Sequence, residues 1–347
     1  MTKRVCRSVL PVACTCTVIA LSACTGTPTE SERPAPTSTT APPAPAAASS
    51  TTCKDKRPVL ASLAPGSITT DPGSWPSGST MAKIKARGYL IVGTSGDAKL
   101  WGARNPVNGK IEGFDVDVAA RVAQALGLKP ADTVYKVLTI AQRVPALQAG
   151  SVDLVAERMT INCDRWQGTA KAPQAYVNMS TPYYSAGARL LVRKDSPAAQ
   201  LKDLARQKVC GVAASTSLDA LNSAIAAQKL DVQPVVASEP GRCLVKFQEG
   251  EVDAVVGDDT TLAGLASQDQ YAKIVGDRLN SSSAGFGLNS KDDDFTRFTN
   301  VVLEKMRTDG SLTELYDTWM KPTIGGSAPS IPQPVYGRVI SALQRQS

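Results

Sequence analysis

The chain runs to 347 residues, 42% hydrophobic and 20% charged, with a formal net charge of +7. That supplies apolar material for a real core and length for two or three domains. It contains no histidine, which excludes Ser-His and Cys-His nucleophilic machinery and imidazole-based metal or acid–base chemistry. No phosphate-cradling glycine loop and no basic run interleaved with aromatics occurs, so nucleic acid is not an expected partner.

Residues 1–23 read as a secretory signal: Lys3, Arg4 and Arg7 give a positive start, and a mostly apolar stretch runs from Val9 to Leu21. At about 13 residues that stretch is too short for a spanning helix, which takes roughly 20. It ends in Leu21-Ser22-Ala23-Cys24, which resembles the lipobox of bacterial lipoproteins, whose cysteine thiol carries the lipid. Cys24 is therefore the predicted lipidation site; an ordinary signal peptide is the alternative. Removing the signal takes away three cations and brings the net charge from +7 to +4. Residues 24–52 are almost entirely Thr, Pro, Ala, Ser and Glu, a composition that cannot bury enough apolar surface to fold and reads as an extended tether. No later apolar run reaches about 18 residues, so the lipid would be the only membrane anchor, holding an exported body at the outer face of the cytoplasmic membrane.

Three of the eight cysteines leave with the signal and Cys24 is lipidated, which leaves Cys53, Cys163, Cys210 and Cys243. An even number in an exported chain points to two disulfides, with three pairings open. Cys53–Cys163 with Cys210–Cys243 is preferred, because the second pair then falls within one lobe of the fold argued below. The spacings contain no close ligand pair for zinc, and no metal or cofactor is expected.

Along the body, residues 90–93 read as a buried strand, and Phe114, Val118, Val122 and Leu126 recur at helical spacing until Gly127 stops them. Further strands are expected at 190–193, 209–213 and 285–288, a helix opening at Ser215-Thr216-Ser217, and helices over 293–306 and 312–320. The most informative feature is an echo: Leu147-Gln148-Ala149-Gly150-Ser151-Val152-Asp153-Leu154-Val155 returns about one hundred residues later as Phe247-Gln248-Glu249-Gly250-Glu251-Val252-Asp253-Ala254-Val255. Each copy is a helix end, a glycine suited to the C′ position and a Val-rich strand. A repeated unit of this kind implies two similar α/β lobes with mostly parallel sheets, and ligands in such folds sit at the carboxyl ends of strands. There the first copy runs into Glu157-Arg158-Met159-Thr160 with Arg165 beyond, and the second into Gly257-Asp258-Asp259. An arginine can take an α-carboxylate with paired hydrogen bonds, and an aspartate an ammonium; surface ion pairing is the bland alternative.

The chain resembles family 3 of the bacterial extracellular solute-binding proteins, which serve polar amino-acid ABC importers. The resemblance rests on Glu112-Gly113-Phe114-Asp115-Val116-Asp117-Val118-Ala119, Val144-Pro145-Ala146-Leu147, Met159-Thr160-Ile161, Thr181-Pro182-Tyr183-Tyr184, Gly257-Asp258-Asp259 and Tyr316-Asp317-Thr318-Trp319, in order from about Met81 to Met320. It implies a periplasmic-binding-protein fold with two hinge strands: lobe 1 over residues 53–188 and 282–325, and lobe 2 over 189–281. The tail over 326–347 follows Pro322 and Gly325 and holds Gly326, Pro329, Pro332 and Pro334, so its first half reads as irregular chain, with Val335 to Leu343 either a small packed helix or frayed. The resemblance also implies that Thr160 and Arg165 grip the α-carboxylate with help from Ser215, Thr216 and Ser217 at a helix start, and that Asp258 binds the α-ammonium. Arg143 matches an arginine aimed at a side-chain carboxylate, and with Arg158 and Lys99 it tilts the pocket towards glutamate or aspartate, with glutamine or asparagine as alternatives. Ile140 stands where the family often stacks an aromatic, and Trp101 reads as packing. The implied partners are an ABC permease or a membrane sensor protein, with the binding protein a monomer. A cyclohexadienyl-dehydratase-like enzyme is the remaining alternative, for which Glu157 or an aspartate would have to serve as general acid.

Overall fold

The computed structural model describes residues 52–326 and 328–338. The predicted signal, Cys24 and all but the end of the predicted tether lie outside them, as do residues 339–347.

Two five-stranded sheets carry the architecture. In the first, the order is Thr133–Val137, Leu90–Thr94, Leu154–Val155, Gly287–Leu288, Asn178–Met179. In the second it is Gln233–Ala237, Lys208–Val212, Ala254–Asp258, Ala188–Arg193, Ala272–Val275. The first three strands of each sheet run parallel and the other two pairings are antiparallel. The pairing is thus more mixed than a mostly parallel reading, because the strands that return from one lobe to the other enter each sheet from the opposite direction. Both sheets are covered on two faces, which is why their central strands are near-continuous apolar runs. In Ala188–Arg193 the side chains alternate: Leu190 and Val192 face one cluster with Leu218 and Leu221, whereas Leu191 faces another with Cys210 and Phe247.

The helices follow the periodic pattern. Phe114, Val118, Val122 and Leu126 are all buried along Phe114–Ala125, and Gly127 takes the left-handed conformation (φ +77°) that ends the turn. The echo is real in three dimensions. Helices Arg143–Gln148 and Pro240–Gln248 both end two residues before a left-handed glycine, Gly150 and Gly250, and lead into strands at the same place in the two sheets.

A two-stranded antiparallel ribbon, Tyr184–Ala186 against Ser282–Ala284, lies at the crossings between the sheets. The preferred disulfides both form. Cys210–Cys243 ties a strand of the second sheet to its covering helix, with Cα atoms 5.6 Å apart, and Cys53–Cys163 (5.4 Å) ties the start of the described residues to the first lobe. The tail departs from expectation. Its described part forms neither a helix from Val335 nor frayed chain: Val335–Tyr336 pairs in parallel with Ala61–Ser62, and Arg338 is buried beside it. Among the described residues no helix is long and apolar enough to cross a membrane.

Candidate functional site

A cavity at the carboxyl ends of the parallel strands is lined by Arg143, Arg158, Thr160 and Arg165 from the first lobe and by Ser215, Thr216, Ser217 and Asp258 from the second. Ile140, Pro240, Thr261 and Leu262 are among the residues that supply its less polar walls. Its free volume in this arrangement of the lobes is ≈ 40 Å³ for the centres of water-sized groups. The lobes touch around it: Thr160 Oγ1 is 2.9 Å from Thr216 Oγ1, and Gly241 N–H donates to Asp97 Oδ2 at 2.8 Å.

Backbone carbonyls hold the guanidinium groups of Arg143 and Arg165, and a carboxylate holds the backbone of Arg158. Arg143 opens its helix and is 4% exposed; its Nε donates to the Ile140 carbonyl (3.0 Å) and its Nη1 to that of Glu157 (2.9 Å). Arg158 leaves its strand in a left-handed conformation (φ +47°), unusual for a side chain of its size and held by a hydrogen bond from its N–H to Asp115 Oδ2 (2.8 Å). Its Nη1 is buried with no hydrogen-bond partner among the described residues. Arg165 lies in the one-turn helix Cys163–Gln167, and its Nη1 donates to the Thr160 carbonyl. Burial pulls the Arg165 guanidinium well below the ordinary arginine value, with Arg143 acting in the same direction and Asp258 opposing. Arg143 is lowered by burial as well, against the pull of Glu157.

The carboxylates are fewer at the cavity wall. Asp258 is half-buried and accepts from Ser217 Oγ (3.1 Å); burial raises its carboxyl, with Arg158 opposing. Glu157 is buried behind the arginines with neither oxygen hydrogen-bonded among the described residues, and burial pushes it up to about 7. Asp115 accepts from the Tyr183 hydroxyl at 2.7 Å and is raised by burial to about 6. Three guanidinium groups therefore present more donors to the cavity than the protein fills, in a setting where an unpaired charge is costly. An oxygen-rich anion relieves that imbalance. On the opposite wall, Ser215 caps helix Thr216–Gln228, and the N–H groups of the first turn offer a second anion contact.

The structure brings together every residue predicted from the sequence to bind the ligand but one. Lys99 is the correction: its side chain is exposed in the outer groove with Asp97, Glu239 and Trp319, away from the arginine cluster. Its backbone is what meets the other lobe, for a Cβ on Gly264 would lie 2.5 Å from the Lys99 carbonyl oxygen. Trp101 is packing, 1% exposed and edge-on to Phe114 and Tyr184. Asp97, Asp115 and Glu157 shape the site without having been singled out as ligand contacts. Asp115 carried a usable signal, a carboxylate flanked by the apolar Phe114 and Val116 in the first turn of its helix.

Two lobes about a ribbon hinge, closing on a buried polar cavity, define a solute-capturing protein. The comparisons agree: the model for bacterial extracellular solute-binding proteins, family 3, matches residues 90–322, and the chain belongs to that family. It is 29% identical over 244 residues to the ABC transporter glutamine-binding protein GlnH of Bacillus subtilis, covering 70% of this chain and 85% of that protein. To the glutamate-binding protein GluB of Corynebacterium glutamicum it is 30% identical over 240 residues, covering 66% and 77%. A crystal structure of an ArgBP mutant from T. maritima superposes with a TM-score of 0.61 at 27% identity, over 70% of this chain and 99% of that one. These relatives are named as binding proteins, in keeping with the solute-binding family to which this chain belongs.

Proposed function

We propose that the chain captures an L-amino acid with an acidic side chain outside the cell and delivers it to an ABC importer. Arg165 and Thr160, with the helix start at Thr216, hold the α-carboxylate, and Asp258 holds the α-ammonium. Arg143 and Arg158 take the side-chain carboxylate. The observation that supports this reading is the surplus of buried guanidinium donors over wall carboxylates: one arginine answers the α-carboxylate, and two remain. A basic ligand would add to that surplus. The names of relatives support an amino acid as the solute, and they include both glutamine and glutamate binders. An amide side chain is the second reading, favoured by Glu157 and Asp115, which lie behind the arginines and offset part of their charge.

Calorimetric titration of the exported chain with glutamate, aspartate, glutamine, asparagine and arginine tests this. Glutamate or aspartate should bind most tightly, and Arg165→Ala should abolish it. Tightest binding of arginine, or no binding of any amino acid, sinks the proposal. Export and lipid anchoring through Cys24 belong to the same proposal. Cys24→Ala should release the protein from membranes into the medium, and retention on membranes would remove the anchor from the account.

A further inference from the structure

We infer that the two ends of the described chain form a clamp that positions Arg165; this rests on the assignment of Arg165 to the ligand's α-carboxylate. Arg165 lies in Cys163–Gln167, a helix of five residues, too short to hold its own shape in water. Its local supports are Asn162 Oδ1, which accepts from the Arg165 N–H at 2.9 Å, the Val177 N–H, which donates to the Arg165 carbonyl at 2.7 Å, and the Thr160 carbonyl, which accepts from Arg165 Nη1. Trp166 also packs in a buried cluster with Leu147, Val155, Met159, Ile161, Val177 and Met179; a further grip comes from the chain ends and falls on both sides of Arg165. Two residues before it, Cys163 is bonded to Cys53. At the next position, the Trp166 ring carries the Arg338 guanidinium over its face at 4.3 Å.

The two grips are one structure. Arg338 donates through Nε to the Ala61 carbonyl (3.0 Å) and through Nη2 to that of Pro58 (3.1 Å), and its Nη1 pairs with Asp55 (3.2 Å). Its Nη2 also lies 3.7 Å from Cys53 Sγ. The guanidinium thus locks the loop that carries Cys53 while stacking on the residue next to Arg165. This assembly is fixed to the lobe by the Ala61–Ser62 ladder with Val335–Tyr336 and by Ser62 Oγ, which donates to the Met179 carbonyl (2.7 Å) and accepts from Asn300 Nδ2 (2.8 Å). Cys53 and Arg338 both lie outside residues 90–322 matched by the family model, so the clamp is an addition to the family's matched body. Its consequence is local: a forked, buried donor loses its ligand geometry when displaced by about 1 Å.

The test uses the exported chain, with amino-acid affinity measured by calorimetry well below the unfolding temperature of each ligand-free variant. Arg338→Ala and Cys53→Ser/Cys163→Ser should each weaken binding by about tenfold, with Arg338→Lys intermediate because it keeps the charge and loses the flat stack. Cys210→Ser/Cys243→Ser, which removes the other disulfide, should lower the unfolding temperature and leave affinity within about twofold. Wild-type affinity in Arg338→Ala overturns the clamp, and so does an equal loss in the Cys210/Cys243 control, which would make the effect global. If the double serine variant fails to fold, Arg338→Ala against the control still decides. Arg165→Ala separates the two proposals: if it binds normally, the assignment of Arg165 itself is wrong; if it abolishes binding while the clamp variants bind normally, only the clamp fails.

Discussion

Residues 143–155 and 240–258 are one helix–glycine–strand unit used twice, and they differ where the backbone meets the cleft. The helix of the first copy opens on Arg143 and that of the second on Pro240. Proline suits a first helical position, whereas a cation there opposes the helix dipole. At the strand exits, the first copy gives Glu157, a left-handed Arg158 and Thr160, and the second gives Asp258 at the cap of the next helix. Buried strands, glycine stops and covering helices are common to both. The local rules broken in one copy alone, a cation at a helix start and a strained arginine, mark where stability has been given up for binding.

Within the two copies, the largest expected effect comes from removing the one cavity-wall carboxylate of the second. Asp258→Ala should weaken amino-acid binding by at least about a hundredfold, because an ammonium would then be buried without its partner. A loss of only a few-fold, measured by calorimetry, would mean that the second copy contributes wall and not recognition. The first copy is then separated from it by Arg143→Met. Affinity for an acidic ligand should fall by about ten- to a hundredfold while affinity for its amide changes only a few-fold. Equal losses for both would place Arg143 on the α-carboxylate and break the division of labour between the copies.

Glu157 sharpens the comparison further, having no counterpart in the second copy, where Gly257 precedes Asp258. Burial raises its carboxyl from 4.5 to about 7, with Arg143 and Arg158 lowering it and Asp115 and Asp97 raising it. The folded state therefore holds this proton more tightly than the unfolded chain, and the group's contribution to stability is present at low pH and lost as pH rises from about 4.5 through 7. An acidic ligand near Arg143 adds negative charge and favours the protonated form. Proton uptake should accompany glutamate binding near neutral pH, and affinity should decline between about pH 6 and 8. Calorimetry in two buffers of different ionisation enthalpy reads the uptake directly, and Glu157→Gln should remove it. Uptake unchanged in Glu157→Gln would assign the proton to another group, with Asp115, raised to about 6, the next to test.

Much of this was legible in the chain itself. Apolar strand runs, helical spacing and the echoed unit give two α/β lobes without any structure, and the strand-exit residues in the two copies name Arg165 and Asp258. What was illegible depends on direction or on distant partners. Lys99 lies in a loop without periodicity, so nothing in the sequence says that its side chain turns away from the cleft while its carbonyl faces Gly264. The pairing of Val335–Tyr336 needs Ala61–Ser62, far away along the chain, and a two-residue ladder leaves no pattern to read. The antiparallel half of each sheet is equally silent, because buried strands look alike whichever way their neighbours run.

Asp97 is the residue whose role only the assembled lobes reveal, and its expected effect is the smallest. It belongs to the first lobe, yet its Oδ2 accepts from the Gly241 N–H in the first turn of Pro240–Gln248, the helix of the second copy. A carboxylate at a helix start contributes about 0.3–1 kcal/mol, and this one does so only while the lobes are together. Asp97→Ala should therefore weaken ligand binding by about two- to fivefold without lowering the unfolding temperature of the ligand-free protein. Gly241→Ala attacks the same contact from the other side, since its Cβ would lie 2.7 Å from Asp97 Oδ2. In the double variant the second change should add little to the first, as expected of two residues that share one contact. Additive losses would mean that each residue acts within its own lobe, and that the ligand alone draws the two copies together.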